Sequence, residues 1–307
     1  MSLTRFRTDA SIPEPALAHA SGCRCPLHAR RLFTGLTAGL AAGAALPALA
    51  QDGVQGDVGK TSRFAKLVPA EQVEQAAAAQ YGQMKREAAQ QRALAPASHP
   101  QVVRLRTIAQ RLIPYTLPWN PRAREWNWEV NLIGSKELNA FCMPGGKIAF
   151  YYGILQRLQL TDEEVATIMG HEMAHALREH ARERMGKTAA TRIGAGLLSS
   201  LLGLGGAGDA LLNMGGQLLT LRFSREDESE ADIVGMELAA RAGYDPAAGV
   251  TLWQKMMKAA EGAPPEFLST HPSGPSRIKD IEGMLPKVQP LYQRAEKPRE
   301  RFSAPKD

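Results

Sequence analysis

The sequence predicts an α+β fold, mostly α-helical, with one small antiparallel sheet preceding a metal-binding helix. Three observations carry that expectation. A capping box, Thr161-Asp162-Glu163-Glu164, opens a helix whose apolar stripe runs into two histidines four residues apart. Apolar and polar residues alternate from Trp126 to Ile133, the period-2 pattern of a half-buried strand. Upstream, residues 69–94 are rich in Glu, Gln, Ala, Lys and Arg, a helix-forming composition.

With 307 residues the chain holds one sizeable core, or one domain with appendages. Its 44% hydrophobic and 22% charged residues are ordinary for a globular protein. The net charge of +6 falls to +3 once the first fifty residues, five arginines against Asp9 and Glu14, are set aside. No basic block marks a nucleic-acid partner, and none is expected.

Residues 1–50 read as a secretion signal. Arg30-Arg31-Leu32-Phe33 resembles a twin-arginine start, no charge occurs from Leu32 to Gln51, and Ala48-Leu49-Ala50 makes a cleavage site near Ala50. An uncleaved membrane anchor is the other reading of that run, although its many Ala and Gly make it weakly apolar. Cys23 and Cys25 leave with the signal, so Cys142 is the single thiol expected in an exported, periplasmic chain, and no internal disulfide can form. The expected organisation is 1–50 signal, 51–97 a flexible segment and a helix, 98–290 the catalytic domain, and 291–307 a tail.

Within 51–97, residues 51–65 lack periodicity and predict a flexible new N-terminus, followed by a largely solvated helix from Pro69 to about Leu94. Val102, Val103, Leu105, Ile108 and Leu112 make a second helix ending near Pro114. Three strands follow as an antiparallel meander: Trp126–Ile133, Leu138–Met143 and Lys147–Tyr152, the last two joined across Pro144-Gly145-Gly146. Residues 188–219 are rich in Gly, Leu and Ala. Their longest uncharged stretch, 193 to 208, is 16 residues with six glycines, short of the roughly 18–20 that a spanning helix needs. It reads as a mobile helical hairpin over the site, or else as a peripheral membrane contact.

The chemistry centres on His171-Glu172-Met173-Ala174-His175. Residues four apart stand above one another on a helix, so both imidazoles can reach one cation. Glu172 then flanks the metal without ligating it, where a general base for a zinc-bound water belongs. With seven His in the chain, an accidental match is on the order of one in a hundred. A catalytic zinc takes a third protein ligand from another element. The segment Ser224 to Asp232 supplies it: on a helix Glu228 and Asp232 share a face, flanked by the small Ala231 and Gly235, which let that helix approach closely. Asp232 is expected to accept the other ring N–H of a ligand, His171. Glu226, Asp227 and Glu230 fit a solvated acidic face. His99 and His180 read as structural or solvated, His180 lying off the ligand face.

Four stretches in this order resemble one family: Asn139-Ala140-Phe141 with Pro144-Gly145-Gly146, then His171–His175, then Ser224-Arg225 with Glu228, Glu230, Ala231 and Asp232, then Thr270-His271-Pro272-Ser273 with Arg277-Ile278. They are similar to the gluzincin metalloproteases that include the CAAX prenyl protease, HtpX and the periplasmic beta-barrel assembly-enhancing protease. The resemblance covers about residues 100–285. It implies a zincin-type metalloprotease domain, one Zn2+ per chain on His171, His175 and Glu228, and His271 over the open metal position. A loop imidazole at 271 could donate to the tetrahedral oxyanion, or ligate the metal in a self-inhibited resting state. The resemblance also implies a sheet edge that binds substrate backbone, read here as Asn139, Gly146, Lys147, Ile148 and Ala149. Arg277 is read as a support for the His271 loop. Two departures stand out: Cys142 occupies a position often small and apolar, and no helical-repeat domain follows.

The expected activity is zinc-dependent endopeptidase cleavage of extended or misfolded polypeptides, as envelope protein quality control. Glu172 would deprotonate the bound water and pass the proton to the leaving amine. The alternative is a zinc-bound chaperone or assembly factor that seldom cuts.

Overall fold

The computed structural model describes residues 53–192, 214–260, 266–271 and 276–305. The expected signal at 1–50 and the centre of the Gly-rich segment, 193–213, lie outside the described residues. So do Pro272 and Ser273.

Two helices, α1 (Ala70–Gln90) and α2 (Pro100–Leu112), precede strands β1 (Glu129–Ile133), β2 (Ala140–Met143) and β3 (Lys147–Tyr151). A short α3 (Tyr152–Arg157) leads into α4 (Asp162–Leu177) and α5 (His180–Arg192). After residues 214–219, which are also helical, come α6 (Arg225–Arg241), α7 (Ala248–Ala259), α8 (Glu266–Thr270) and α9 (Arg277–Arg294). The fold is mostly helical with one small sheet, as the sequence predicts.

The sheet itself departs from the expected meander. Its order is β1-β3-β2, with β1 parallel and β2 antiparallel to β3, so the sheet is mixed. The β2–β3 hairpin turns at Gly145 and Gly146, whose φ values of +83° and +76° suit glycine. A side chain at Gly146 would also strike Trp128, its Cβ falling 2.7 Å from the indole ring. Strand β1 pairs with the other side of β3, because residues 134–139 carry the chain across the sheet rather than back along β1. Alternation reports which side chains face inward. It is silent on strand order and direction.

Helix α4 is the centre of the molecule, with nearly every residue buried. Its capping box is made as the sequence predicts: the Glu164 amide donates to Thr161 Oγ1 at 3.3 Å and the Thr161 amide to Glu164 Oε2 at 2.8 Å. Fully buried Arg104 of α2 fixes the same end, donating to Asp162 Oδ1 and to the Leu160 carbonyl, both at 2.7 Å. The sheet, α2, α6 and α7 surround α4.

Both ends of the described chain are docked. Val54 is fully buried and its amide donates to Glu237 Oε2 at 2.6 Å, and a 3-10 turn follows at Arg63–Leu67. The flexibility expected for 51–65 is therefore not seen over 53–65, because Val54, Ala65 and Val68 supply an apolar anchor that periodicity does not register. Helix α1 ends at Gln90 and buries Val73, Ala76, Ala77 and Tyr81, more than the solvated helix expected. Helix α9 runs through residue 290 to Arg294, and the segment beyond it returns to α4, where the Phe302 amide donates to Asp162 Oδ2 at 2.8 Å.

Helices α4 and α6 cross at glycine on both sides. A Cβ on Gly170 would stand 2.7 Å from the Gly235 carbonyl oxygen, and one on Gly235 only 2.6 Å from the His171 amide nitrogen. Both obstacles are backbone, so neither can swing aside. Gly235→Ala is expected to push α6 off α4 and destabilise the metal-free protein by about 1–3 kcal/mol, as overpacking does. Urea unfolding checks this; unchanged stability would mean the crossing tolerates a methyl group.

Candidate metal centre

The glycine crossing sets the carboxylates of α6 against the imidazoles of α4. His171 and His175 project from one face of α4 with their Nε2 atoms 3.0 Å apart. Glu228 reaches both: Oε2 lies 3.5 Å from His171 Nε2, and Oε1 lies 3.3 Å from His175 Nε2. His271, just past the α8 turn with its amide bonded to the Phe267 carbonyl, brings Nδ1 to 3.0 Å from Glu228 Oε1 and 3.3 Å from His171 Nε2. All four ligating atoms lie within 4.8 Å of one another, and all four residues are buried.

A divalent cation fits this donor set on the protein's own chemistry. Ring nitrogens 3.0 Å apart and buried together repel unless a proton or a cation lies between them. Four donors around zinc, with bonds of about 2.0–2.1 Å, would stand about 3.3–3.4 Å apart, close to the separations found here. Burial, the largest influence, drives His175 well below the usual imidazole pKa, which leaves its ring neutral. Burial also acts to lower His171, but Asp232 and Glu228 outweigh it and raise that ring to about 9. Burial opposes ionisation of Glu228, yet the three imidazoles around it hold its carboxyl far below the usual range.

Asp232 stands where the sequence puts it, its Oδ1 2.9 Å from His171 Nδ1. Residues 272–275 of the loop that Arg277 was expected to support lie outside the described residues. Among the described residues Arg277 grips both acids of α6: Nη1 donates to Glu228 Oε2 at 2.8 Å, Nε to Asp232 Oδ2 at 2.7 Å, and Nη2 to Asp232 Oδ1 at 2.8 Å. Its guanidinium lies 3.6 Å from the centre of the Trp253 ring. Phe223 stacks on His175 at 3.9 Å between ring centres, and Phe267 stacks on His271 at 4.5 Å. No sequence signal singled out either phenylalanine.

Glu172 points from α4 into a cleft of about 330 Å³, lined by residues 139–144, Leu218, Leu219, Leu221, Phe223 and His271. Its Oε1 has no hydrogen-bond partner among the described residues, although His271 Nε2 stands 3.4 Å away. Burial, chiefly, raises its carboxyl above the ordinary value, against the pull of His271 and His171. Cys142 lies on the same wall; burial keeps its thiol well above the usual pKa and hence protonated, which suits a small buried side chain.

The expected substrate edge needs correction. Lys147, Ile148 and Ala149 belong to β3, the central strand, whose hydrogen bonds go to β1 and β2. Gly146 sits in the hairpin turn against Trp128. Of the five residues named, only Asn139 lines the cleft, and the strand at its rim is β2. Order, not alternation, decides which strand has a free side, and the short loops did not reveal that order.

Two other sequence expectations change. Glu230 is not on a solvated face: its Oε1 accepts from Arg178 Nε at 2.7 Å, and its Oε2 lies 3.0 Å from His180 Nε2. Asp227 is buried as the N3 residue of a capping box with Ser224 that opens α6. His99 caps α2, accepting from the Gln101 amide, a structural part as expected. His180 is fully buried beside His175, the structural one of its two expected places.

Comparison with known proteins adds a family. The sequence model of peptidase family M48 matches residues 104–285. The chain is 36% identical over 198 residues to the mitochondrial metalloendopeptidase OMA1 of Schizosaccharomyces pombe, covering 63% of this chain and 56% of that protein. It is 31% identical over 195 residues to the metalloprotease LoiP of Escherichia coli, covering 62% of this chain and 73% of that one. A third relative, the beta-barrel assembly-enhancing protease of Escherichia coli, is 31% identical over 171 residues, covering 52% of this chain and 35% of the relative. The match thus spans little more than half the length of the fission-yeast protein.

Arg277→Met should leave Glu228 and Asp232 facing each other without their shared cation. The metal-free protein is expected to lose about 3–5 kcal/mol, the usual cost of breaking a buried ion pair from one side. Denaturant unfolding in the presence of chelator reads this directly; a loss under about 1 kcal/mol would contradict the bracing role.

Proposed function

The chain belongs to peptidase family M48, and from that premise we propose that it is a zinc-dependent endopeptidase acting on extended or misfolded polypeptides in the bacterial periplasm. The observation that carries the proposal is one arrangement: His171, His175 and Glu228 converge on a single point while Glu172, its Oε1 unpartnered among the described residues, stands beside them at the cleft. LoiP and the assembly-enhancing protease, both of Escherichia coli, support an envelope role, whereas the OMA1 relatives are mitochondrial. The signal-like residues 30–50 favour export. No helix among the described residues is long and apolar enough to cross a membrane.

His171, His175 and Glu228 would hold the zinc. Zinc there supplies Lewis acidity, acidifying a water and polarising the scissile carbonyl. Glu172 takes the proton of the attacking water and hands it to the leaving amine. A carboxyl raised by burial suits that transfer, since a more basic carboxylate takes the proton from water more readily. The rim strand β2 offers backbone groups to an extended substrate, while Phe141, Leu218, Leu219 and Phe223 give the cleft an apolar part. His271 lies among the ligands, which supports a closed resting arrangement in which it occupies the place a substrate carbonyl would take. That placement also lends weight to a second reading, a zinc-bound chaperone or assembly factor that seldom cuts.

Glu172→Gln is expected to keep zinc at wild-type stoichiometry and to lower casein cleavage by about 10²–10⁴-fold. Undiminished cleavage would remove Glu172 from the mechanism. Restoration of a deletion phenotype by this variant would favour the chaperone reading. Chelator should abolish cleavage by the wild-type protein and added zinc should restore it; cleavage that persists with zinc removed would end the metallopeptidase proposal.

A further inference from the structure

The two helix-borne imidazoles are backed differently. His171 Nδ1 meets the Asp232 carboxylate directly, and Arg277 holds that carboxylate from behind. Among the described residues His175 Nδ1 meets no carboxylate. It faces Nδ1 of a second histidine, His180, at 2.9 Å; His180 Nε2 lies 3.0 Å from Glu230 Oε2; and Glu230 Oε1 accepts from Arg178 Nε at 2.7 Å. Arg178 in turn donates to the Gly59 carbonyl of the docked N-terminal segment. His180 has no exposed surface, so water cannot stand in for either of its partners.

We propose that His180, aimed by Glu230 and Arg178, is a positioning residue for the metal site: it fixes the tautomer and ring angle of His175 so that the Nε2 lone pair faces the cation. The proposal rests on the zinc reading above. With a cation on His175 Nε2, hydrogen-bond accounting leaves one consistent assignment. Glu230 is an acceptor, so His180 carries its proton on Nε2 and presents a lone pair at Nδ1. His175 must then donate from its own Nδ1, which frees Nε2 as a donor atom for zinc. The opposite tautomer of His175 would set two lone pairs against each other at 2.9 Å and put a proton where the cation belongs. His180 thus carries the influence of a carboxylate over one ring's length to a ligand that no carboxylate reaches from behind. Phe223, stacked on the His175 face, limits tilting, and the His180 contact fixes rotation.

The chain break between the two histidines makes this possible. Helix α4 ends at Leu177, Glu179 adopts a left-handed φ of +60°, and α5 restarts at His180. A continuous helix would carry position 180 away from position 175, because five residues turn about 500° and leave the two side chains roughly 140° apart.

The test is zinc affinity, measured by competition with a chromophoric chelator on the full exported chain, with the unfolding midpoint of the metal-free protein read in parallel. His180→Leu fills the space without an acceptor and is expected to weaken zinc binding about 10–100-fold. His180→Asn places an amide oxygen where Nδ1 stands and should recover most of that loss. Glu230→Gln, which keeps an acceptor but removes the charge, should weaken zinc binding by several-fold and serves if His180→Leu does not fold. The metal-free unfolding midpoint of His180→Asn should stay near wild type. The proposal is overturned if His180→Leu binds zinc within twofold of wild type, or if His180→Asn is as weak as His180→Leu, since His180 would then only fill space. A wild-type chain that binds no zinc at all would instead bring down the metal reading, and this proposal with it.

Discussion

The site depends on how closely two helix backbones approach. Gly170 on α4 and Gly235 on α6 face each other with no room for a Cβ on either. Only at that separation can a side chain as short as Asp232 touch an imidazole on the neighbouring helix, and Glu228 reach two of them. The crossing also buries the carboxylates, so each needs a partner. They have them: three imidazoles and a guanidinium on Glu228, and a guanidinium and an imidazole on Asp232. Backbone proximity therefore comes first, and the electrostatics of the centre follow from it.

Helix α6 supplies acids to every imidazole contact that matters here. Glu228 lies among His171, His175 and His271, Asp232 lies behind His171, and Glu230 lies behind His180. Two arginines from outside the helix, Arg178 and Arg277, each hold one or two of these acids. Arg277 is contributed by α9, the last helix, and Arg178 by the end of α4, so the acids are clamped from both sides. Their rotamers are locked by charge-assisted bonds rather than by packing alone. Such a scaffold holds its donors in place before any cation arrives, which lowers the entropic cost of binding one.

Much of this was legible in the chain. The capping box at Thr161, the histidine pair, the shared face of Glu228 and Asp232, and the small residue at Gly235 are local patterns with a fixed helical period, and the structure places each accordingly. What escaped depends on breaks in that period or on pairings remote in sequence. His180 looked misplaced because a five-residue spacing assumes an unbroken helix, and no strong terminator marks Arg178-Glu179; the stop appears only in the backbone of Glu179. Arg277 belonged to a recognisable stretch, yet its partners lie more than forty residues away. Glu230 sat in an acid-rich run where solvation is the ordinary expectation, and its partners Arg178 and His180 lie some fifty residues upstream. The antiparallel meander failed for a similar reason: three short strands fit several orders equally well.

The sheet correction bears on how a polypeptide could enter. With β3 in the centre, its amides are committed on both sides, and backbone capture passes to β2. That strand stands at the rim of the cleft, which Cys142 and Glu172 both line. A chain added along β2 would therefore run past the candidate base and the ligand cluster together, so that recognition of the backbone and placement of the amide are a single event. Main-chain pairing of that kind reads few side chains, while the apolar wall of Phe141, Leu218, Leu219 and Phe223 favours segments that a folded client would keep buried. On the proposed reading both cues, an extended backbone and an exposed apolar side chain, are properties of a chain that has lost its fold.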